Sequence, residues 1–420
     1  MGSEKTILVI GGGISGITAA IEAAEAGYDA VIVEQNPYLG GRVSRAHQYF
    51  PKLCIPSCGL EINFRRIKTN PKIKVITQAE VKNITGKKGA YEVTVEVTPR
   101  MVNDNCTLCG KCAEVCPVER ADEFNLGMSK TKAIYLPNSM AFPAKYAIDK
   151  AVCPGASCGK CVEVCAYKAI DLGMSGQSLT LKVGGIVVAT GWKPYDAAKL
   201  DNLGFGKYPN VITNVMMERL AAVDGPTGGK ILRPSDGQPP KSVAFVQCAG
   251  SRDQNHLPYC SGVCCMGSLK QINYVKAQLP DAQAFMFYID IRAMGYLEDF
   301  LRKVQEMPNV SLIKGKVAKI TGEAGDALKL EVEDVAQGKK ITQVVDMVVL
   351  ATGLVPSIAD KRLPGDITYD EYGFIVPSDS GIVGAGCAKR PVDVYHSAMD
   401  ATGAALKAIQ SVVAGGVHHG

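Results

Sequence analysis

Thr6-Ile7-Leu8-Val9-Ile10-Gly11-Gly12-Gly13-Ile14-Ser15-Gly16 opens the chain and decides its fold. A short, mostly apolar strand runs into G-x-G-x-x-G, and the helix-like stretch Ile17 to Ala26 follows. That is the strand–loop–helix setting a dinucleotide fingerprint requires. Gly11 permits the tight turn, Gly13 lets backbone amides approach a pyrophosphate, and Gly16 lets helix and strand pack closely. Ile14 and Ser15 complete the loop, where the helix presents its positive dipole end to the phosphates. A second strand, Ala30 to Val33, ends in Glu34, followed by Gln35. An acid about 20 residues past the loop is placed to hydrogen-bond a ribose hydroxyl.

Working outward, Gly40-Gly41-Arg42 follows the acid. A second glycine turn with Arg resembles the FAD pattern of flavoproteins that carry two dinucleotide-binding domains. Two strands then end alike, in Ala189-Thr190-Gly191 and in Ala351-Thr352-Gly353. In that class such strands bracket an inserted second nucleotide-type domain. Near the end, Gly381 to Ala388 precedes an apolar helix expected over Ser397 to Ala414. The chain returns to the flavin there through Ala385-Gly386-Cys387, with Cys387 where the class usually has an acid. Arg42 and Lys52 are candidates to place positive charge near the flavin ring. The expected fold class is α/β: a Rossmann-like FAD domain, a degenerate NAD-type domain and an inserted ferredoxin-like iron–sulfur domain. The expected division is 1–100, 176–241 and 345–420 for the FAD domain, 101–175 for the insert and 242–344 for the degenerate domain.

The insert is read from Cys106-Thr107-Leu108-Cys109-Gly110-Lys111-Cys112-Ala113-Glu114-Val115-Cys116-Pro117, which is C-x2-C-x2-C-x3-C-P. This is the ligand run of a bacterial 4Fe–4S cluster, whose fourth cysteine serves the neighbouring cluster in two-cluster ferredoxins. A structural zinc loop also uses C-x2-C, but four cysteines this close with the terminal Pro favour iron. A second run holds Cys153, Cys158, Cys161 and Cys165; its first cysteine stands two residues early, with Gly155 in the regular place. By the exchanged-ligand logic, one cluster takes Cys106, Cys109, Cys112 and Cys165, and the other takes Cys153, Cys158, Cys161 and Cys116. Cys153 rests on the weakest match.

In the middle segment, the strand Ser242 to Val246 should feed a second glycine loop. It runs instead into Gln247-Cys248-Ala249-Gly250-Ser251-Arg252-Asp253, with one glycine and no pyrophosphate cradle. Cys260, Cys264 and Cys265 follow. With Cys248 they are read either as a third, unconventional cluster site or as buried thiols. Adjacent Cys264 and Cys265 are awkward for a cubane, because neighbouring side chains diverge. Cys54 and Cys58 form a C-x3-C, a poor match to a redox C-x-x-C.

The 420 residues leave room for two or three domains. A net charge of +5 is too small and dispersed for a nucleic-acid partner. No apolar run reaches 18 residues, so no transmembrane helix is expected, and no secretory signal is read. Fifteen cysteines in such a chain read as metal ligands in a reducing cytoplasm rather than as disulfides. His47, His256, His396, His418 and His419 show no metal or nucleophile spacing, and no catalytic acid–base pair is evident.

These blocks together resemble the A-type subunit of heterodisulfide reductase. The glycine loop, the ferredoxin-like insert, Gln247 to Asp253, Tyr259 to Met266, Tyr288 to Ala293 and Ala385 to Ala388 carry the resemblance. Phe50 to Phe64 and Gly206 to Thr213 look like a compact relative, the A-type subunit of the quinone-interacting membrane-bound oxidoreductase. The resemblance implies one FAD, a related flavin–cluster subunit, a membrane haem subunit contacting quinone, and a soluble partner such as adenylylsulfate reductase. It implies a cytoplasmic protein held at the inner face of the membrane by its complex. The alternative is a nicotinamide-dependent FAD disulfide or ferredoxin reductase, against which the missing second glycine loop argues.

Overall fold

The computed structural model describes residues 2–416. The chain divides into two compact units, one built from residues up to Trp192 and from Pro356 onward, the other from Lys193–Val355. Along the chain come β1 (Thr6–Ile10), α1 (Ile14–Glu25), β2 (Asp29–Glu34), α2 (Pro56–Thr69), β3 (Ile73–Thr77), β4 (Ala79–Lys87) and β5 (Ala90–Val97). Short elements follow: α3 (Lys111–Glu114), β6 (Glu119–Ala121), β7 (Lys130–Lys132), β8 (Ile134–Tyr135), β9 (Ala147–Ile148) and α4 (Lys160–Glu163). β10 (Gln177–Val183) and β11 (Gly185–Val188) close the first pass, and β12 (Trp192–Pro194) leads across the boundary. The second unit holds β13 (Val211–Thr213), α5 (Asn214–Ala221), β14 (Ser242–Ala249), α6 (Cys264–Gln278), β15 (Gln283–Tyr288), α7 (Leu297–Gln305), β16 (Val310–Gly322), β17 (Leu328–Asp334), β18 (Lys339–Val345) and β19 (Met347–Thr352). β20 (Leu354–Pro356) leads back to β21 (Ile382–Gly384) and α8 (Val394–Gly416).

β1 is buried along its whole length, as an apolar run covered on both faces must be. It sits in a parallel sheet of order β21-β11-β1-β2-β3. On one face Ile7, Val9 and Ile32 pack with Ile17 and Ile21 of α1 and with the alanines of α8. On the other, Leu8, Ile10, Val31 and Val33 pack with Val81, Val93 and Leu181 of the antiparallel sheet β10-β5-β4. The insert has a small core of its own, Met101, Val102, Ile134, Ile148, Ala169 and Ile170. Its base is closed where Val102 pairs with Ile170 and the Asn103 amide donates to the Ala169 carbonyl at 2.8 Å.

The second unit is a seven-stranded sheet of order β13-β19-β14-β15-β16-β17-β18, parallel through β16 and antiparallel beyond. β19, β14, β15 and β16 take the order that β11, β1, β2 and β3 take in the first unit. The division differs from the sequence expectation of 242–344: residues 193–241 and 345–355 belong to this unit. Three-residue β13 joins as an edge strand, with Val211 opposite Val348, and is too short to announce itself by periodicity. β19 lies between β13 and β14 and so belongs to this sheet.

Candidate redox-cofactor sites

The loop after β1 is held by contacts that tolerate no side chain. A Cβ on Gly11 would meet the Ala189 carbonyl oxygen, and one on Gly16 would meet the Gly11 carbonyl oxygen. Gly13 differs: a Cβ there would have nothing nearer than the Gly41 Cα at 3.9 Å, so its backbone faces open space. Gly40 and Gly41 stack on this loop, with the Gly40 amide donating to the Gly12 carbonyl at 2.8 Å. Glu34 closes the cradle and is buried. It accepts from the Gly12 amide at 2.6 Å and from the Asn36 amide and side chain at 2.7 and 2.6 Å. Burial outweighs these bonds and raises its pKa. Gln35 is exposed. Asn36, absent from the residues expected at the site, fixes the carboxylate; its signal was an Asx residue two positions past the acid.

Arg42 is half-buried over the ring of Trp192, 4.9 Å from its centre, and donates to the Trp192 carbonyl at 3.2 Å. Burial pulls its guanidinium down to about 10, which leaves it cationic at neutral pH. Lys52 is exposed. In Ala189-Thr190-Gly191, the Ala189 amide continues the sheet by donating to the Ile10 carbonyl at 2.8 Å, while Thr190 Oγ1 is buried without a partner. An orphaned hydroxyl beside an open glycine backbone is what a bound dinucleotide would satisfy. At the C-terminal return, the Gly386 amide donates to Asp400 Oδ2 of α8 at 2.9 Å, and Lys389 pairs with the same carboxylate at 2.8 Å. Cys387 is buried, with its thiol donating to the Val392 carbonyl at 3.2 Å. Ser15 is buried against α8, where its hydroxyl donates to the Ser397 carbonyl at 3.4 Å. Asp400 was missed; as the one acid of its helix it was visible in the sequence.

In the insert the two cysteine runs fold as a pair. Gly110 and Gly159 start α3 and α4 at φ 83 and 60, a left-handed turn that an L side chain adopts only with strain. Cys106, Cys109, Cys112 and Cys165 line one small hollow. Cys116, Cys153, Cys158 and Cys161 line a second, with Ile134 forming part of both walls. This is the exchanged partition expected from the spacing, and it includes Cys153. Among the described residues, no three Cys, His, Asp or Glu side chains are gathered for a single ion; in a cubane each thiolate meets a different iron, so its ligands stand farther apart. Burial pushes the Cys112 thiol up to about 11 and raises Cys161 as well. Such thiols become ligands through the metal's own charge. The Ala169 amide donates to Cys165 Sγ at 3.3 Å, a bond that favours the thiolate.

In the second unit the segment after β14 has no glycine cradle. Cys248 stands at φ 56 and burial raises its thiol to about 11. It lies close enough to Cys260 and Cys265 for their charges to bear on it, and Cys264 feels all three. Cys264 and Cys265, successive residues at the start of α6, diverge: one donates to the Thr352 carbonyl at 3.7 Å, the other to the Asp290 carbonyl at 3.6 Å. Both amide atoms of Gln247 are buried without a partner beside them. Elsewhere, Cys54 and Cys58 lie within hydrogen-bonding reach of each other at the start of α2. His256 meets the Tyr195 hydroxyl at 2.8 Å and His396 meets Asp393 at 2.8 Å, while His418 and His419 lie outside the described residues.

Residues 6–101 match the family of FAD dependent oxidoreductases and residues 99–119 match the 4Fe-4S binding domain. The first of two iron-sulfur A-type subunits of CoB--CoM heterodisulfide reductase in Methanopyrus kandleri is 39% identical over 96% of this chain and 64% of its own length. The A-type subunit of the H(2):CoB-CoM heterodisulfide,ferredoxin reductase of Methanothermobacter thermautotrophicus is 37% identical over 99% of this chain and 65% of its own. The chain thus spans just under two thirds of the length of these relatives. Among solved structures, T. acidophilum thioredoxin reductase superposes with a TM-score of 0.53 at 15% identity, covering 98% of both chains. Lactococcus lactis thioredoxin reductase gives 0.53 at 12% identity over 98% of this chain and 99% of its own. Both speak to the fold alone. Fold and sites define an FAD-dependent oxidoreductase with an iron–sulfur insert. Within that class, the chain is a flavoprotein like the A-type subunits of heterodisulfide reductases, similar to them over nearly its full length, and it uses FAD and 4Fe–4S clusters.

Proposed function

We propose that the chain is the FAD and iron–sulfur electron-transfer subunit of a membrane-associated, quinone-linked oxidoreductase complex. In this reading it passes electrons between a haem subunit in the membrane and a soluble reductase such as adenylylsulfate reductase. One observation carries it: the segment after β14, where a nicotinamide cradle would stand, holds Gln247 and Cys248 and lacks the glycines such a cradle needs. Electrons then enter and leave through protein partners. The segments Phe50 to Phe64 and Gly206 to Thr213, which resemble the compact quinone-linked relative, support the finer assignment.

FAD would be held by Gly11, Gly13, Ile14, Ser15, Gly16, Glu34, Gly40, Gly41 and Arg42, with Ala189 to Gly191 and Gly386-Cys387 closing the site; Gln35, being exposed, has the weakest claim. The bound flavin supplies the exchange between two-electron and one-electron transfer. This chain's part is to fix the pyrophosphate on backbone amides, offer Glu34 to a hydroxyl and keep the Arg42 charge beside Trp192. Two clusters would occupy the hollows of the insert. Cys248, Cys260, Cys264 and Cys265 would hold a third.

No helix of the described residues is long and apolar enough to cross a membrane, so attachment at the inner membrane face would run through the partner subunits. Isolation in mild detergent should yield a complex far larger than 44.6 kDa that contains haem; a lone chain that reduces quinone unaided refutes the proposal. The paired thiols Cys54 and Cys58 favour a second reading, a nicotinamide-dependent FAD disulfide reductase. NADH that bleaches the flavin of the purified chain would select it.

A further inference from the structure

Arg100 stands where the chain enters the insert, two residues before Val102, which lines the first hollow. It is buried, and its guanidinium is held from two sides. Nε donates to the Tyr146 carbonyl at 2.8 Å and Nη2 to the Lys145 carbonyl at 2.6 Å. Nη1 donates to the Pro37 carbonyl at 2.6 Å and to Thr77 Oγ1 at 3.4 Å. Tyr146 is part of the wall of the first hollow. Thr77 ends β3, and Pro37 follows the Asn36 that fixes Glu34. The side chain is thus pinned between the insert and the FAD-binding sheet.

None of these partners is a carboxylate, and among the described residues no acid is paired with Arg100. A buried cation without a counter-ion is costly. Burial pulls its guanidinium down to about 10, with Tyr135 and Cys106 acting the other way, so it stays cationic at neutral pH. Carbonyls and a hydroxyl accept equally well from neutral donors, so the hydrogen bonds alone do not call for a charge. Four thiolates on one iron–sulfur group do.

The second hollow has no counterpart. Lys160 lines it, but Lys111 lines the first in the same way, each opening its short helix and exposed. Arg120, four residues past Cys116, is already paired with Asp149 at 3.2 Å. Amide donors to sulfur are matched too: Ala169 to Cys165 at 3.3 Å in the first, Gly155 to Cys153 at 3.5 Å in the second. Arg100 is what sets the two sites apart in charge.

We propose that Arg100 is the internal counter-charge of the first cluster, which therefore takes up an electron before the second does; this rests on the two-cluster reading of the insert. Reduction adds one electron to a group that its thiolates already make anionic, and no bond forms or breaks. Net charge is one of the levers that set the potential of such a cluster. A fixed unit charge about 12 Å away, at an effective dielectric of about 20, alters a one-electron equilibrium about tenfold. Arg100 acts as a positioning residue for charge, not as a ligand. Solvent at the exposed thiol of Cys109 works in the same direction, so substitution has to isolate the guanidinium.

The test is a dithionite titration of the anaerobic, fully loaded chain, followed by low-temperature electron paramagnetic resonance. The signal absent in Cys106→Ala marks the first cluster and the signal absent in Cys158→Ala the second. In the parent the first signal should appear at the higher potential. Arg100→Met should make the first cluster about tenfold harder to reduce, about 59 mV for a one-electron couple, and leave the second where it was. Arg100→Lys, which keeps the charge and loses the fork of hydrogen bonds, should restore most of the shift. An unmoved first cluster in Arg100→Met overturns the proposal, as does an equal shift of both clusters or a shift that Arg100→Lys does not restore. Should Arg100→Met lose iron, Arg100→Gln takes its place, and a parent whose second cluster is reduced first overturns the proposal without any variant. Iron below about eight per chain in the parent would fail the two-cluster reading itself, and this inference with it.

Discussion

At the scale of the residue, the glycines of the first loop separate two kinds of demand. Gly16 is required by the fold, since any Cβ collides with the Gly11 carbonyl. Gly13 has room in the protein, so its demand is for the ligand. Gly13→Val should therefore lose the 450 nm flavin absorbance while the flavin-free protein melts as the parent does. Gly16→Val should lower the melting temperature of the flavin-free protein itself; equal behaviour of the two variants would contradict the assignment. Glu34 gives a pH signature. Burial raises its pKa above the ordinary carboxylate value of about 4.3. The folded state thus binds a proton that the unfolded state releases, and stability falls as pH rises from that value through the raised one. The melting temperature of Glu34→Gln minus that of the parent, both flavin-free, should become more positive between pH 4 and pH 7. Its flavin affinity should meanwhile drop by about 1–3 kcal/mol, the cost of removing a charged acceptor. A difference in melting temperature that stays flat across that range would show that Glu34 is ionised at no cost.

At the scale of the element, the two short helices of the insert stand beside hollows that each include the last thiol of the other run. Cys165 lines the hollow of the first run and Cys116 that of the second. Cys165→Ala and Cys106→Ala should abolish the same cluster, read by low-temperature electron paramagnetic resonance, and each should lower iron by about four per chain. If Cys165→Ala instead removes the cluster lost in Cys153→Ala, each run holds its own. This exchange was legible because C-x2-C-x2-C-x3-C leaves three thiols on one tight loop and directs the fourth outward. Cys153 was the weakest match in the spacing because its loop is lengthened; Gly155 stands at φ 68 in the short turn that follows it, and Cys153 lines the second hollow.

At the scale of the whole molecule, the second unit keeps the strand order of a nucleotide-binding sheet after losing its glycine loop. β14 still leads to α6, but the turn between them carries thiols. Cys260→Ala should lower iron content and leave flavin content unchanged. Unchanged iron would leave the four cysteines as reduced thiols, of which Cys264 alone is buried, a reading that the divergent carbonyl partners of Cys264 and Cys265 favour.

The sequence by itself determined the local chemistry: the FAD loop, the acid Glu34, the two cluster runs and the absence of a nicotinamide cradle. Each depends on residues within a few turns of one another, where backbone geometry links spacing to shape. Tertiary structure alone decided what depends on distant segments meeting. It joined β13 to β19 across more than a hundred residues and so moved the unit boundary to residues 193 and 355. It brought Asp400 to the Gly386 amide and Trp192 under Arg42. A three-residue edge strand or a single buried acid carries no period of its own. Its place is set by the neighbours that bury it, and those are chosen only when the sheet closes.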